Sequence, residues 1–273
     1  MKKTILLFLT TVFLSLGFSA NAQPIELKEL LTKAEESLNN INTVVYKVDY
    51  FNKYLAKNDT LHSTAICSLY RMPKDKMQSF HRIEFEVEKD APKYFGQRMY
   101  NGEKVLWYSN SVDSLTTNET PEIYSEKKMK YSVVENYSNF LLKQYFGRKD
   151  NFSIYGTKLA KIRMKDINVT EENLHNTPVY VLNIAYKDQK DATRDEVTKH
   201  YIRKSDFLPI AHYSFLRWEN MEQYNYYEIE YLTINSGVSL DDFKIEENQQ
   251  LNAVELYKDF KNQLKKINIA TTN

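Results

Sequence analysis

Five histidines, one cysteine and a run of carboxylates hold most of this chain's capacity for chemistry. His200 and His212 fall on segments that read as neighbouring strands, so pairing would bring two imidazoles face to face. Such a pair could ligate a metal, but strand histidines facing solvent are the simpler expectation. Glu84, Glu86 and Glu88 alternate with Ile83, Phe85 and Val87 in "RIEFEVE" (82–88), which reads as a strand with one wet face rather than as carboxylates paired for hydrolysis. Cys67 is the single cysteine, so an intramolecular disulfide and a Cys-x-x-Cys redox centre are both excluded. It alternates in step with Ala65 and Leu69, which is the pattern of a buried, inert thiol. No Gly-x-Ser-x-Gly elbow, Gly-rich phosphate loop, His-Glu-x-x-His or paired-cysteine zinc spacing occurs. No catalytic activity, no metal and no other cofactor is therefore expected; a hydrolase working through strand carboxylates is the enzymatic alternative.

The elements that must position these residues alternate between two periods. Leu27, Leu30, Leu31, Ala34, Leu38 and Ile41 recur at spacings of three and four, which predicts an amphipathic helix over about 25–40. From Val44 the period is two: Val44, Tyr46, Val48 and Tyr50 share one face, and "AKND" (56–59) turns the chain into "TLHSTAICSLYRM". In "NGEKVLWYSNS" (101–111), Asn101-Gly102 predicts a type I′ turn between Tyr100 and Glu103, and so a hairpin over 95–109. A helical period returns over about 125–146, with Met129, Val133, Tyr137, Phe140, Leu141 and Tyr145 on one stripe. Strands are expected near 160–170, 178–186, 196–204, 208–218 and 221–235, the last carrying four tyrosines. Leu256, Phe260, Leu264 and Ile267 predict a closing helix. Short connections make the strands antiparallel neighbours. The fold class is α+β: one strongly curved antiparallel sheet of ten or eleven strands wrapped round at least one helix.

Residues 1–22 carry Lys2 and Lys3, an apolar run from Ile5 to about Phe18, then Ala20 and Ala22. This reads as a cleavable secretory signal, with processing expected between Ala22 and Gln23 and a soluble product in the periplasm. Without Lys2 and Lys3 the basic residues fall from 37 to 35 against 36 acidic ones, so no basic excess is available for nucleic acid. Two units are expected beyond the signal: a main domain over 23–247 and a C-terminal helix and tail over 248–273.

Three stretches resemble the LolA-like family of periplasmic lipoprotein carriers. "SLYRMPKDKMQ" (68–78) is similar to that family's basic-Pro-x-x-basic signature, with Arg71 two residues before Pro73 instead of adjacent. "YNGEKVLWYS" (100–109) resembles its Asn-Gly hairpin entering an aliphatic-Trp-aromatic strand. "YIRKSDFLPIAHYS" (201–214) and "YLTINSGVSLDDF" (231–243) are similar to its late Leu-Pro strand and closing Asn-x-x-aliphatic-Asp-x-x-Phe. The resemblance implies an incomplete β-barrel closed by helices, with an interior that accepts acyl chains. It places Tyr46, Val48, Tyr50, Ile83, Phe85, Met99, Leu106 and Tyr108 toward that interior, and Tyr137, Phe140, Leu141 and Tyr145 on a covering helix. The function it implies is periplasmic binding of a lipid or of lipoprotein acyl chains for transport or sorting to the outer membrane, with membrane transport components as further partners. A sensing or interaction domain without carrier activity is the alternative. This chain is richer in tyrosine than the family pattern and has a longer stretch over 110–150, which bears on the identity of the cargo.

Overall fold

The computed structural model of the chain describes residues 25–55, 59–75, 79–88, 92–125, 164–187 and 194–272. Helix α1 (Leu27–Asn39) forms where the three-four spacing predicts it, and buries Leu30, Ala34 and Leu38. Asn40 ends it, its N–H donating to the Glu36 carbonyl at 3.1 Å.

The strands that follow are β1 (Thr43–Lys53), β2 (Leu61–Arg71), β3 (Ser79–Glu88), β4 (Tyr94–Tyr100), β5 (Lys104–Ser111), β6 (Glu122–Ser125), β7 (Met164–Leu174), β8 (Thr177–Tyr186), β9 (Arg194–Arg203), β10 (Pro209–Trp218) and β11 (Met221–Ile234). All eleven belong to one antiparallel sheet in the order β6-β5-β4-β3-β2-β1-β11-β10-β9-β8-β7. Every neighbour in that order is a sequence neighbour except one pair: β1 and β11 form the seam, with Val44 opposite Ile234 and Lys53 opposite Tyr224. Among the described residues the sheet is open, with β6 and β7 at its two edges. Helix α2 (Ala253–Thr272) closes the described chain.

The β4–β5 turn sits one residue later than the sequence predicts. Asn101 N–H donates to the Lys104 carbonyl at 3.3 Å, which makes Gly102 and Glu103 the central pair. Gly102 has φ of 92°, a left-handed value suited to glycine. The Asn101 side chain stays outside the turn and accepts from the N–H groups of Glu103 and Lys104 at 3.1 and 2.8 Å.

The two larger cores among the described residues lie on opposite faces of the sheet. Alternation puts Val44, Tyr46 and Val48 of β1, Ala65, Cys67 and Leu69 of β2, and Ile83 and Phe85 of β3 on the face that α1 covers, together with Ile202 and Ile229. Ile66, Phe95, Met99, Leu106 and Tyr108 point the other way and pack with Phe243, Ala253, Phe260 and Ile267 under α2. The C-terminal helix thus lies across the outside of the sheet instead of closing the α1 side.

That placement overturns the wet-face reading of "RIEFEVE". Glu84 and Glu86 are only 6 % exposed each, because α2 roofs them. Glu86 accepts from the Tyr257 hydroxyl at 2.6 Å and from Lys261 Nζ at 3.1 and 3.2 Å. Glu84 accepts from Gln97 at 3.3 Å, and burial raises its pKa above the usual carboxylate value.

The corner between α1 and β1 is pinned from two sides. Arg71, at the end of β2, donates to the Asn39 carbonyl at 2.7 Å and to its side-chain oxygen at 3.0 Å, a cation at the negative end of the α1 dipole. Asn235, just past β11, accepts from Asn42 N–H at 2.6 Å and donates to the Asn40 carbonyl at 2.8 Å. Both clamps belong to stretches that carry the family resemblance.

Candidate functional site

The face covered by α1 changes character along the strands. Beneath the helix it is closely packed: Tyr46, Val48 and Ile83 have almost no exposure, and Phe85 fills the space above Gly96, where an added Cβ would lie 2.4 Å from the Phe85 ring. Beyond Val48, toward the C-terminal end of β1, aromatic and polar groups replace the aliphatic ones. Strand register there aligns Leu182, His200, His212, Tyr227, Tyr50, Ser63 and Val87 in one row across seven strands.

The rings of this row touch in sequence. Tyr50 and Tyr227 stack with centroids 4.5 Å apart; Tyr227 lies 6.0 Å from His212, which lies 4.7 Å from His200. The Nδ1 atoms of the two histidines are 3.4 Å apart, so one ring can donate to the other only if their tautomers differ. The sequence pairing of these histidines is therefore correct, but both are buried and not solvent-facing. Burial drives His200 well below the usual imidazole pKa and takes His212 down to about 4. Among the described residues no group of three or more His, Cys, Asp or Glu side chains is placed to hold a metal.

The adjoining row is a neutral hydrogen-bonded chain. Asn52 donates to the Tyr50 hydroxyl at 2.7 Å and also bonds Asn225. The Tyr50 hydroxyl donates to Asn225 Oδ1 at 3.1 Å, and Asn225 reaches the Ser214 hydroxyl at 3.4 Å. Burial raises the Tyr50 phenol far above its usual value, and Cys67 is pushed up to about 12, so neither ionises at neutral pH. On β4 and β5 of the same face, the Arg98 guanidinium lies 5.0 Å from the centre of the Phe85 ring and 5.7 Å from that of Trp107, which places a cation over two aromatic faces.

Of the residues assigned to the interior from the sequence, Tyr46, Val48, Tyr50, Ile83 and Phe85 share this face. Met99, Leu106 and Tyr108 lie on the other, in the α2 core, and cannot line the same space. Tyr137, Phe140, Leu141 and Tyr145 lie outside the described residues. The sequence reading left out Tyr227, Asn225, Asn52, Arg98 and Trp107, and did not give His200 and His212 an interior place. The signal for Tyr227 and Asn225 is the alternation Asn225, Tyr227, Ile229 and Tyr231 within "MEQYNYYEIEYLTIN".

No family model and no curated protein matches the chain. Solved structures do. A DUF1329 family protein from Desulfovibrio piger is 12 % identical over 82 % of this chain and 99 % of its own, with a TM-score of 0.37. A LolA superfamily protein from Nitrosomonas europaea is 9 % identical over 81 % of this chain and 99 % of its own, with a TM-score of 0.31. MucB of Pseudomonas aeruginosa, in complex with MucA, is 12 % identical over 82 % of this chain, with a TM-score of 0.37. This chain spans 62 % of that one. Among the described residues no helix is long and apolar enough to cross a membrane.

Proposed function

We propose that this protein binds a hydrophobic ligand, a lipid or the acyl chains of a lipoprotein, against the α1-covered face of its sheet, and does so in the periplasm after loss of residues 1–22. The observation that carries this reading is the row from His200 to Tyr50. Here a sheet interior gives way from packed aliphatic side chains to a row of touching rings, buried at His200 and His212 and half-buried at Tyr227 and Tyr50, beside a neutral hydrogen-bonded chain of Tyr50, Asn52 and Asn225. An acyl chain gains about 0.8 kcal/mol per CH₂ buried, and tyrosine rings offer it apolar faces while their hydroxyls meet a headgroup or water. Arg98 over Phe85 and Trp107 supplies a cation on the same face for an anionic headgroup. Delivery of such cargo to the outer membrane is the role that fits best.

Neighbouring residues on β11 provide the test, since Tyr226 and Tyr227 point to opposite faces. Displacement of a fluorescent fatty acid should weaken about tenfold in Tyr227→Ala, a change of 1.4 kcal/mol, and less than twofold in Tyr226→Ala. Equal effects in the two variants, or a parent protein that binds no probe and yields no lipid on solvent extraction, would remove the reading.

A further inference from the structure

Among the described residues the exposed aliphatic side chains Ile234, Leu240 and Val254 lie apart from the exposed aromatic ones, and it is the aromatic ones that converge. Among the described residues the exposed aromatic ones are Tyr54 at 50 %, Tyr94 at 41 % and Trp218 at 43 %, joined by Met221 at 38 %. Strand register puts all four at one end of the sheet. Tyr54 follows Lys53, which pairs with Tyr224 near the start of β11; Trp218 pairs with Met221 across the β10–β11 turn; Tyr94 pairs with Val87 at the end of β3. Tyr54 follows β1, Tyr94 opens β4, Trp218 ends β10 and Met221 opens β11. Three exposed amphipathic rings thus border one end of the sheet without joining either core. This is also the end at which Asn52 and Asn225 terminate the polar interior row.

Tryptophan and tyrosine on a rim are the residues of a membrane-water interface, where the ring enters the acyl boundary and the polar atom stays wet. The charges nearby select the kind of membrane. Lys93 is bonded to Glu88, and Arg217 to Glu222 at 2.8 Å and Asp195 at 3.5 Å. Both of these cations are paired with neighbouring carboxylates, which leaves ring insertion as the main source of affinity.

We propose that this rim is a bilayer-contact surface, with Tyr54, Tyr94, Trp218 and Met221 seated in the headgroup region of a zwitterionic membrane. Passage of cargo between that membrane and the interior rests on the lipid-binding reading; contact with the bilayer does not, and is measured by itself. The parent protein should co-float with phosphatidylcholine vesicles, equally at low and high salt. Tyr54→Ala/Trp218→Ala should reduce the bound fraction about tenfold, while Leu240→Ser, an exposed apolar position at the opposite end, should not. Brominated phosphatidylcholine should quench a component of the fluorescence that Trp218→Ala removes. A parent that stays with the soluble fraction, binding confined to anionic vesicles and abolished by salt, or equal losses in the rim and Leu240 variants would each overturn the assignment. The fatty-acid probe is titrated in parallel: retained probe affinity in the rim variant separates failure at the membrane from failure of the interior.

Discussion

Acidification should destabilise this protein steeply, through histidines that the fold will not let ionise. His81, His200 and His212 are all buried, and burial takes His81 down to about 3 and His212 to about 4, with His200 also well below the usual value. In the unfolded chain each imidazole titrates near 6.5. Their neutral forms in the fold therefore cost nothing above that pH, and stability is lost as pH falls below it, because only the unfolded chain takes up the protons. At pH 5 protonation favours the unfolded state by about 2 kcal/mol per histidine, or about 6 kcal/mol for three. That is comparable with the whole stability of an ordinary domain, roughly 5–15 kcal/mol. Glu84 acts in the opposite sense: its raised pKa means that the fold binds a proton more readily than the open chain, which returns part of the loss as pH approaches the carboxylate range. Urea unfolding at pH 7.5 and 5.0 should show a net loss of about 4–6 kcal/mol. A His200→Leu/His212→Leu variant, compared with itself at the two pH values, should lose only about 2 kcal/mol, the share of His81. A parent equally stable at both values, or resonances assigned to His81, His200 or His212 titrating near 6.5 in the folded protein, would refute the reasoning.

Phe260 is fully buried and meets Phe95 at 5.5 Å, so Phe260→Ala should cost about 3–5 kcal/mol in denaturant unfolding and make α2 sensitive to protease. Gly96→Ala would bring a Cβ to 2.4 Å from Phe85 and 2.7 Å from the Tyr108 carbonyl; a loss of about 1–3 kcal/mol is expected, read from the thermal midpoint. The Cys67 thiol, buried and pushed up to about 12, should resist maleimide at pH 8 in the folded protein and react fully in urea.

The strands other than β6, and both described helices, were legible because their periods are local: three and four for Leu30, Ala34 and Leu38, two for Val44, Tyr46 and Val48. What covers a strand's second face is not local. Glu84 and Glu86 have the alternation of a solvated face, and only the docking of Tyr257 and Lys261, more than 170 residues later, turns them into a buried set. The same limit divided the predicted interior residues. Tyr46 and Phe85 lie correctly, but Met99 and Leu106 require the β3–β4 register, and Phe85 stands opposite Gly96, not Phe95. Pairing of His200 with His212 follows from a hairpin and could be read; their burial depends on Tyr227 across the next strand and could not.

The seam between β1 and β11 governs how this molecule is assembled. Strands β1 to β6 and β7 to β11 are each a meander of adjacent hairpins, able to form as soon as their own residues are available, whereas β1 must wait for a partner about 180 residues downstream. Loop closure over that distance makes the seam the slow step of folding. Until that partner is available the leading half must therefore stand with one long central edge unpaired, a template for the same edge of another molecule. Two chains that reach this stage together could exchange halves through that seam, giving a swapped dimer with every native contact intact. By the same logic, a chain cut in the connection between β6 and β7 should reassemble from its two pieces, with the ten paired positions from Val44 to Lys53 as the junction.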